Sequence, residues 1–478
     1  MFLRRGTPPL ILSPGPQATG SGLRSDSRVS TSSRRLVIVG GVAAGLSAAT
    51  RARRLDDDLE VAVFERTGFC SYTACGLPYF VAGVIPKHTD LVVRTPGDLK
   101  EDRIDVHLHH EVMGIDVAAG HARVRNLDAG TERDEPFDEL LLATGGTARL
   151  PFAGLDLPGV FAVRTVEDGI AIRRWIEQQH ATRAVIVGAG YIGLEMAEAL
   201  LAHSMKVTVV EMLPHALPLV DEEVAVEVEA ELIAHGVDLR CATGVESIEG
   251  DSRVRRVIAG GSPIDADLVI VGVGVGPDNS LAREAAIPLG SHGAVAVDAG
   301  MRTRIPGVWA AGDCSETRHL LHEGPAYVPL GTTANKQGRI AGGNMCGKEE
   351  TFAGVAGTAA VKVCDLHVAR TGLSEREAVH AGLDAAGATI TQKSRARYYP
   401  GGSPVTVKMV AEKGSGRLLG AQLAGKEGIA KRVDVIAAAL YGGATVDDVG
   451  SFDLSYAPPF APVWDPLLIA ARELGKSV

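Results

Sequence analysis

Two cysteines in the stretch FCSYTACGLPYF, Cys70 and Cys75, have a type and spacing that suggest chemistry. A thiolate attacks disulfides and can itself be oxidised reversibly, so the pair raises two readings. One is a disulfide closed between Cys70 and Cys75. The other is a single working thiol beside a bystander. Five residues of regular helix rise about 7.5 Å, beyond the roughly 7 Å over which two Cα atoms can be bridged. A Cys70–Cys75 bond therefore requires non-helical backbone, and the spacing alone leaves both readings open.

The second set of chemical residues is glycine. RRLVIVGGVAAGLSAATRARRL reads as a buried strand, a glycine turn and a helix, with Gly40 and Gly45 at the first and third positions of a dinucleotide fingerprint and Val42 in the middle one. The next strand, EVAVFE, ends at Glu65, where a carboxylate would meet a ribose hydroxyl. RAVIVGAGYIGLEMAEAL carries the complete pattern, Gly188, Gly190 and Gly193, and the strand after it ends at Glu211. Backbone N–H groups at a helix N-terminus bind pyrophosphate. A carboxylate at Glu211 accepts from a ribose 2′-OH and repels a 2′-phosphate, which favours NADH over NADPH. Two such units imply two dinucleotides, one a bound flavin and one a diffusing nicotinamide, an arrangement for electron transfer.

These motifs sit in a chain of 478 residues, enough for about three domains. Aromatic residues are few and glycine numbers 57, which suits an α/β protein with many tight turns. A net charge of −10 leaves no electrostatic footprint for nucleic acid. No apolar run reaches the ~18 residues of a membrane span. Six cysteines do not make a disulfide framework, and a reducing, cytoplasmic compartment is expected. Residues 1–34, rich in Arg, Ser, Pro and Gly with Asp26 as the only acid, are set aside as a disordered tail; an organellar transit peptide is the competing reading. The histidines of HLHH (107–110) and RHLLHEG (318–324) invite a metal, but the first alternates like a strand and the second lacks a cluster of acids and thiols. No metal is expected.

In its order of motifs the sequence resembles the flavoprotein pyridine nucleotide–disulfide oxidoreductases, specifically the single-cysteine branch that includes coenzyme A-disulfide reductase, NADH peroxidase and NADH oxidase. The resemblance is carried by LLATGG (141–146), IPGVWAAGDC (305–314), PLGTTANKQGRIAGGN (329–344), DLSYAPPFAPVWDP (453–466) and SYTACGLPY, and covers nearly all of residues 35–478. It implies an α/β fold of two Rossmann-like domains, for FAD and NAD, succeeded by an α+β dimerisation domain. The implied boundaries are 35–150 and 280–350 for the discontinuous flavin domain, 151–279 for the nicotinamide domain and 351–478 for dimerisation. GVGVGPDNSLA (272–282) looks like the return crossing. A homodimer is implied as well, because the last domain of this family completes the partner's active site.

The resemblance places Cys75 at the reactive position. The paired-cysteine branch has a C-x-N-x-G-C setting and a C-terminal His-x-x-x-x-Glu segment, whereas this chain ends in YAPPFAPVWDPLLIAARELGKSV without a histidine. Proximity to a helix N-terminus, with no acidic neighbour, is expected to depress the pKa of Cys75. Implied flavin and nicotinamide contacts are Gly40, Gly41, Gly45, Glu65, Arg66, Val112, Thr144, Gly145, Asp313, Gly188, Gly190, Gly193, Glu195 and Glu211. Implied CoA contacts are Ser47, Arg51, Arg54, Ser71 and Asn335, where arginine offers paired planar donors to phosphate. Tyr456 is implied to reach the partner's flavin and substrate sulfur, and Tyr398 or Tyr399 to do likewise. Ala74 and Trp464 depart from polar residues found in some members. The expected substrate is CoA disulfide or a CoA persulfide or polysulfide. An oxidase or peroxidase working through a cysteine sulfenic acid is the alternative, disfavoured by Ala43 where those members carry histidine. A flavin-based redox sensor is the reading from another class.

Overall fold

In the computed structural model, residues 34–149 and 151–478 are described. The strand Arg35–Val39 lies in the middle of a parallel sheet, flanked by Glu60–Phe64 and Glu139–Leu142. Leu36, Val37 and Ile38 are fully buried, because a central parallel strand is covered on both faces. Ile104–His107 and Val308–Ala310 complete the five strands, so a segment far down the chain returns to close the first unit.

A second parallel sheet repeats this plan around Arg183–Val187, with Lys206–Val210 and Leu268–Val271 as its neighbours. Between the two units the chain crosses twice, and the crossing strands Gly146–Ala148 and Val275–Pro277 pair antiparallel. A third, antiparallel sheet of five strands spans Ala359–Gly425. Its buried face shares a core with the helices Ile429–Tyr441 and Pro466–Leu474. The expected fold, two Rossmann-like units and a C-terminal α+β unit, is the one found.

Two helices of the first unit shape one end of the site. Ala43–Leu55 and Gly331–Met345 pack so closely that a Cβ on Gly338 would stand 2.1 Å from the Ala44 carbonyl oxygen, and one on Gly342 would stand 2.4 Å from that of Ala48. Only glycine permits this approach.

Two expectations need correction. His107 and His110 end and begin neighbouring strands across a turn in which His109 takes φ 55, so HLHH does not alternate along one strand. The backbone from Phe69 to Thr73 is not helical, and Ser71 has φ 51, so the non-helical backbone that a Cys70–Cys75 bond requires is present, although both thiols are free. Arg34, assigned to the tail, bonds the Met345 carbonyl at 2.8 Å and Glu139 at 3.1 Å. The rest of that tail lies outside the described residues.

Candidate active site

The two glycine turns are built alike. Gly40 and Gly188 adopt φ 109 and 99, a region that favours glycine. A Cβ at Gly45 would stand 1.9 Å from the Gly40 carbonyl oxygen, and one at Gly193 would stand 2.0 Å from that of Gly188. Each helix can therefore start directly against its turn. Gly190 has nothing within 4 Å of the place its Cβ would take, which leaves the open approach a pyrophosphate needs. Val42 narrows the equivalent place in the first turn.

The strand-terminal acids do more than the sequence indicated. Glu65 accepts from the Gly41 N–H at 2.8 Å and from the Thr67 N–H at 2.9 Å. Glu211 accepts from Ala189 at 2.8 Å and Leu213 at 2.9 Å. Both side chains are buried and tie the glycine turn to the strand end. Glu65 Oε1 also accepts from the Thr67 hydroxyl at 2.8 Å, so the second lone pair for a ribose hydroxyl remains on Glu65 Oε2 and on both Glu211 oxygens.

Around the first cradle, Thr144 donates to the Asp278 carbonyl at 2.7 Å, Arg66 lies 3.6 Å from the Asp278 carboxylate, and Gly145 has φ 76. Val112 is buried in the strand His110–Asp116. Burial pushes the Asp313 carboxyl up, opposed by Arg164 at 3.6 Å. Arg164 was not foreseen; it also bonds the Gly146 carbonyl at 3.0 Å, and nothing local in the sequence marks it. Gln337 accepts from the Gly312 N–H at 2.9 Å and so fixes the turn that carries Asp313.

A cavity of about 3350 Å³ joins these parts, running from Gly40 and Glu65 past Cys75 and Asp313 to Gly188 and Glu211. Two cradles with backbone donors, open space at Gly190 and paired ribose acceptors fit a flavin dinucleotide and a nicotinamide dinucleotide.

Cys75 occupies a short 3₁₀ turn, Ala74–Gly76, directly before the helix Leu77–Val81 with Pro78 in its first turn. Its thiol is accessible from the cavity. Cys70 is the opposite: buried among apolar residues, with its thiol pushed up to about 11 by burial and by Glu65. Neither is bonded to another cysteine. The expectation of a depressed Cys75 pKa is overturned. The surrounding protein withdraws enough water to push the thiol up, and Glu195 adds to this.

Glu195 sits on the helix Tyr191–Leu201, whose apolar side shares a core with Leu77, Phe80 and Val81. Its own carboxyl is pushed up to about 7 by burial and then by Glu198. Glu198 is held by Lys362 and by the Cys364 N–H at 3.0 Å. This acidic neighbour comes from the other dinucleotide unit, so no pattern around Cys75 announced it.

The remaining candidates divide. Ser47, Arg51, Arg54, Ser71 and Asn335 all line the cavity, and the Ser47 hydroxyl meets Asn335 Oδ1 at 2.7 Å. Arg51 is engaged by Glu350 at 2.5 Å, which corrects the picture of a guanidinium free for phosphate. Tyr398 and Tyr456 share a hydrogen bond of 3.1 Å on an exposed surface. With Tyr399, they stand outside the cavity lining of their own chain. His319 and His322 stack at 4.7 Å. Among the described residues one group, Glu231, His235 and Asp365, is spaced for a metal ion, and it involves neither histidine motif. No described helix is long and apolar enough to cross a membrane.

Comparison with known proteins agrees with this architecture. The family described as pyridine nucleotide-disulphide oxidoreductase matches residues 34–338, and its dimerisation domain matches residues 358–466. The chain is 41% identical to the NAD(P)H sulfur oxidoreductase (CoA-dependent) of Pyrococcus furiosus, covering 92% of this chain and 99% of that one. It is 31% identical to the coenzyme A disulfide reductase of Staphylococcus haemolyticus, covering 90% and 96%. The structure of an NAD-dependent persulfide reductase from A. fulgidus superposes with a TM-score of 0.90 at 37% identity, covering 93% and 83%. The chain therefore belongs to the pyridine nucleotide-disulphide oxidoreductases, enzymes that depend on FAD and NAD(P)H.

Proposed function

We propose that this protein is a cytoplasmic, homodimeric flavoenzyme that uses NADH to reduce CoA disulfide, or a CoA persulfide or polysulfide, through Cys75 alone. The observation that carries the reading is the contrast between the two thiols: Cys75 opens into the cavity shared by both dinucleotide cradles, while Cys70 is packed in the core. Residues 35–150 and 280–350 would hold FAD, 151–279 the nicotinamide, and 351–478 the partner subunit.

When bound, FAD supplies the relay that carries an electron pair from NADH to sulfur. The Cys75 thiolate attacks the disulfide of the substrate, forming a mixed disulfide and expelling one thiolate, which takes a proton to leave as a thiol. An electron pair then cleaves the mixed disulfide, returning Cys75 as thiolate and releasing the second half, which takes another proton. The balance is NADH, one proton and one disulfide in; NAD⁺ and two thiols out. Gly188, Gly190, Gly193 and Glu211 orient the nicotinamide, while Gly40, Gly41, Gly45, Glu65, Arg66, Val112, Thr144, Gly145 and Asp313 hold the flavin. Tyr456, with Tyr398 or Tyr399, offers phenol donors to the departing thiolate across the dimer interface.

NADH preference is supported by the buried Glu211 and by Met212 and Leu213 after it, which offer no cation to a 2′-phosphate. Steady-state turnover of CoA disulfide with each nucleotide tests this reading. NADH is expected to give a kcat/KM at least about tenfold above NADPH, a difference of ~1.4 kcal/mol. A preference for NADPH contradicts the role of Glu211. Faster turnover of peroxide than of CoA disulfide contradicts the substrate.

A further inference from the structure

Beyond Glu211 the chain runs into a turn that the C-terminal unit holds from outside. The Ala189 N–H donates to Glu211, and the Ala189 carbonyl accepts from the Leu217 N–H at 2.9 Å. This part of the second glycine turn is thus fixed on both sides, by the strand end and by Leu217. Leu217 has φ 52, a left-handed conformation that a leucine keeps only where its surroundings impose it.

Those surroundings come from a distant part of the chain. Arg370, buried on the strand Leu366–Gly372, donates to the Leu219 carbonyl and, at 2.8 Å, to the Gly372 carbonyl, while Glu377 pairs with its guanidinium. Arg376 donates to the Pro218 carbonyl. Asp221 stands at the N-cap of the helix Glu222–Ala234, where an aspartate ordinarily accepts from its own helix, yet it makes no such bond. Its buried carboxylate accepts instead from Gln422 Nε2 at 2.6 Å and from the Glu375 N–H at 3.0 Å, with Lys408 3.8 Å away. Gln422 Oε1 in turn accepts from the Asp221 N–H at 2.6 Å.

The turn matters to the site through what it supports. Leu213, Pro218 and Leu219 line the cavity together with Gly188 and Gly190, and Tyr191, which opens the helix after Gly190, lies within the field of Arg370 and Glu377. Without Arg370 the turn loses a bond that keeps Leu217 in place, and the Ala189 carbonyl loses its donor when Leu217 moves. A nucleotide then has to order the turn as it binds, which lowers its affinity by the fraction of molecules in which the turn is out of place.

Resting on the reading that Gly188, Gly190, Gly193 and Glu211 hold the nicotinamide nucleotide, we propose that Arg370 and Arg376 are positioning residues for it, acting through the turn 217–221. The C-terminal unit thereby sets the affinity of a nucleotide held on another unit. Arg370 has the larger effect, because its planar fork serves Leu219, Gly372 and Glu377 at once, which lysine cannot reproduce.

The test uses the FAD-loaded dimer. Anaerobic stopped-flow reduction of the flavin over a range of NADH concentrations gives an apparent dissociation constant and a limiting rate for the wild type, R370A, R370K, R376A and E231A. The last is the control: it breaks a different contact between the same two units, the bond from the Asp365 N–H to Glu231 at 2.9 Å. Hydrogen exchange of residues 212–221 is followed with and without NADH. Flavin absorbance and the thermal midpoint show that each variant is loaded and folded, and the exposed Arg376 supplies a variant whose folding is not at risk.

R370A is expected to weaken NADH about tenfold, in the range of coupling between separate sites, with the limiting rate and the KM for CoA disulfide nearly unchanged. Exchange at 212–221 should rise and fall back to the wild-type level at saturating NADH. R370K should recover little, R376A should show a smaller loss of the same kind, and E231A should show none. Unchanged NADH affinity in the folded arginine variants overturns the inference, and so does an equal loss in E231A; both results leave the nucleotide reading in place. A wild-type flavin that neither NADH nor NADPH reduces overturns the reading and the inference together.

Discussion

Replacing Cys75 with Ser is expected to abolish NADH-dependent disulfide reduction, by roughly three orders of magnitude or more, as for the loss of a nucleophile. Serine keeps the size of the side chain but cannot form a mixed disulfide. The glycine turns, Glu65, Glu211 and Asp313 are untouched, so Cys75→Ser protein should still hold FAD and still be bleached by NADH. Cys70→Ser should retain turnover. Its thiol donates weakly to the Arg94 carbonyl, at 3.9 Å, and lies among apolar side chains. Stopped-flow flavin reduction and steady-state assays of both variants separate the two thiols. Loss of turnover in Cys70→Ser, with folding and flavin content intact, would restore the pair reading.

The second large effect concerns pH. Glu195 has its carboxyl pushed up to about 7, so it is mostly neutral below that pH and ionised above it. Ionised Glu195 disfavours the Cys75 thiolate, which burial already disfavours. In the wild type, Glu195 therefore increasingly opposes thiolate formation as pH rises through about 7. Glu195→Gln removes that charge and keeps the side chain's shape, so Cys75 should ionise at lower pH. Alkylation of Cys75 by iodoacetamide at pH about 8 should therefore be faster in Glu195→Gln than in the wild type. The two proteins should converge below pH about 6, where Glu195 is already protonated. Identical alkylation profiles in both proteins would remove Glu195 from the control of Cys75.

What could be read in advance lay in local pattern. The apolar strand, the glycine turn and the small-residue helix are contiguous, so Gly40, Gly45, Gly188, Gly190 and Gly193 announced both cradles. Glu65 and Glu211 could be placed because a strand's length fixes where its last residue falls. The crossing near 272–282 was legible through resemblance, and its pairing with Gly146–Ala148 then appeared in the fold.

Most of the misses are contacts between distant segments. Glu195 approaches Cys75 because two helices from different units share a core, and Glu350 reaches Arg51 only after the helix Gly331–Met345 has packed on the first. Arg164 meets Asp313 across the domain crossing, with no spacing rule to predict it.

If one cysteine works by pairing with a sulfur brought by the substrate, the pairing should be visible on the protein itself. The most direct test is the mass of the protein after incubation with CoA disulfide, removal of excess reagent and denaturation without reductant, with peptide mapping of any adduct. The expected result is one CoA moiety per chain, located on Cys75, released by reductant and absent from Cys75→Ser. A Cys70–Cys75 disulfide, or a single added oxygen on Cys75 in place of CoA, would contradict it.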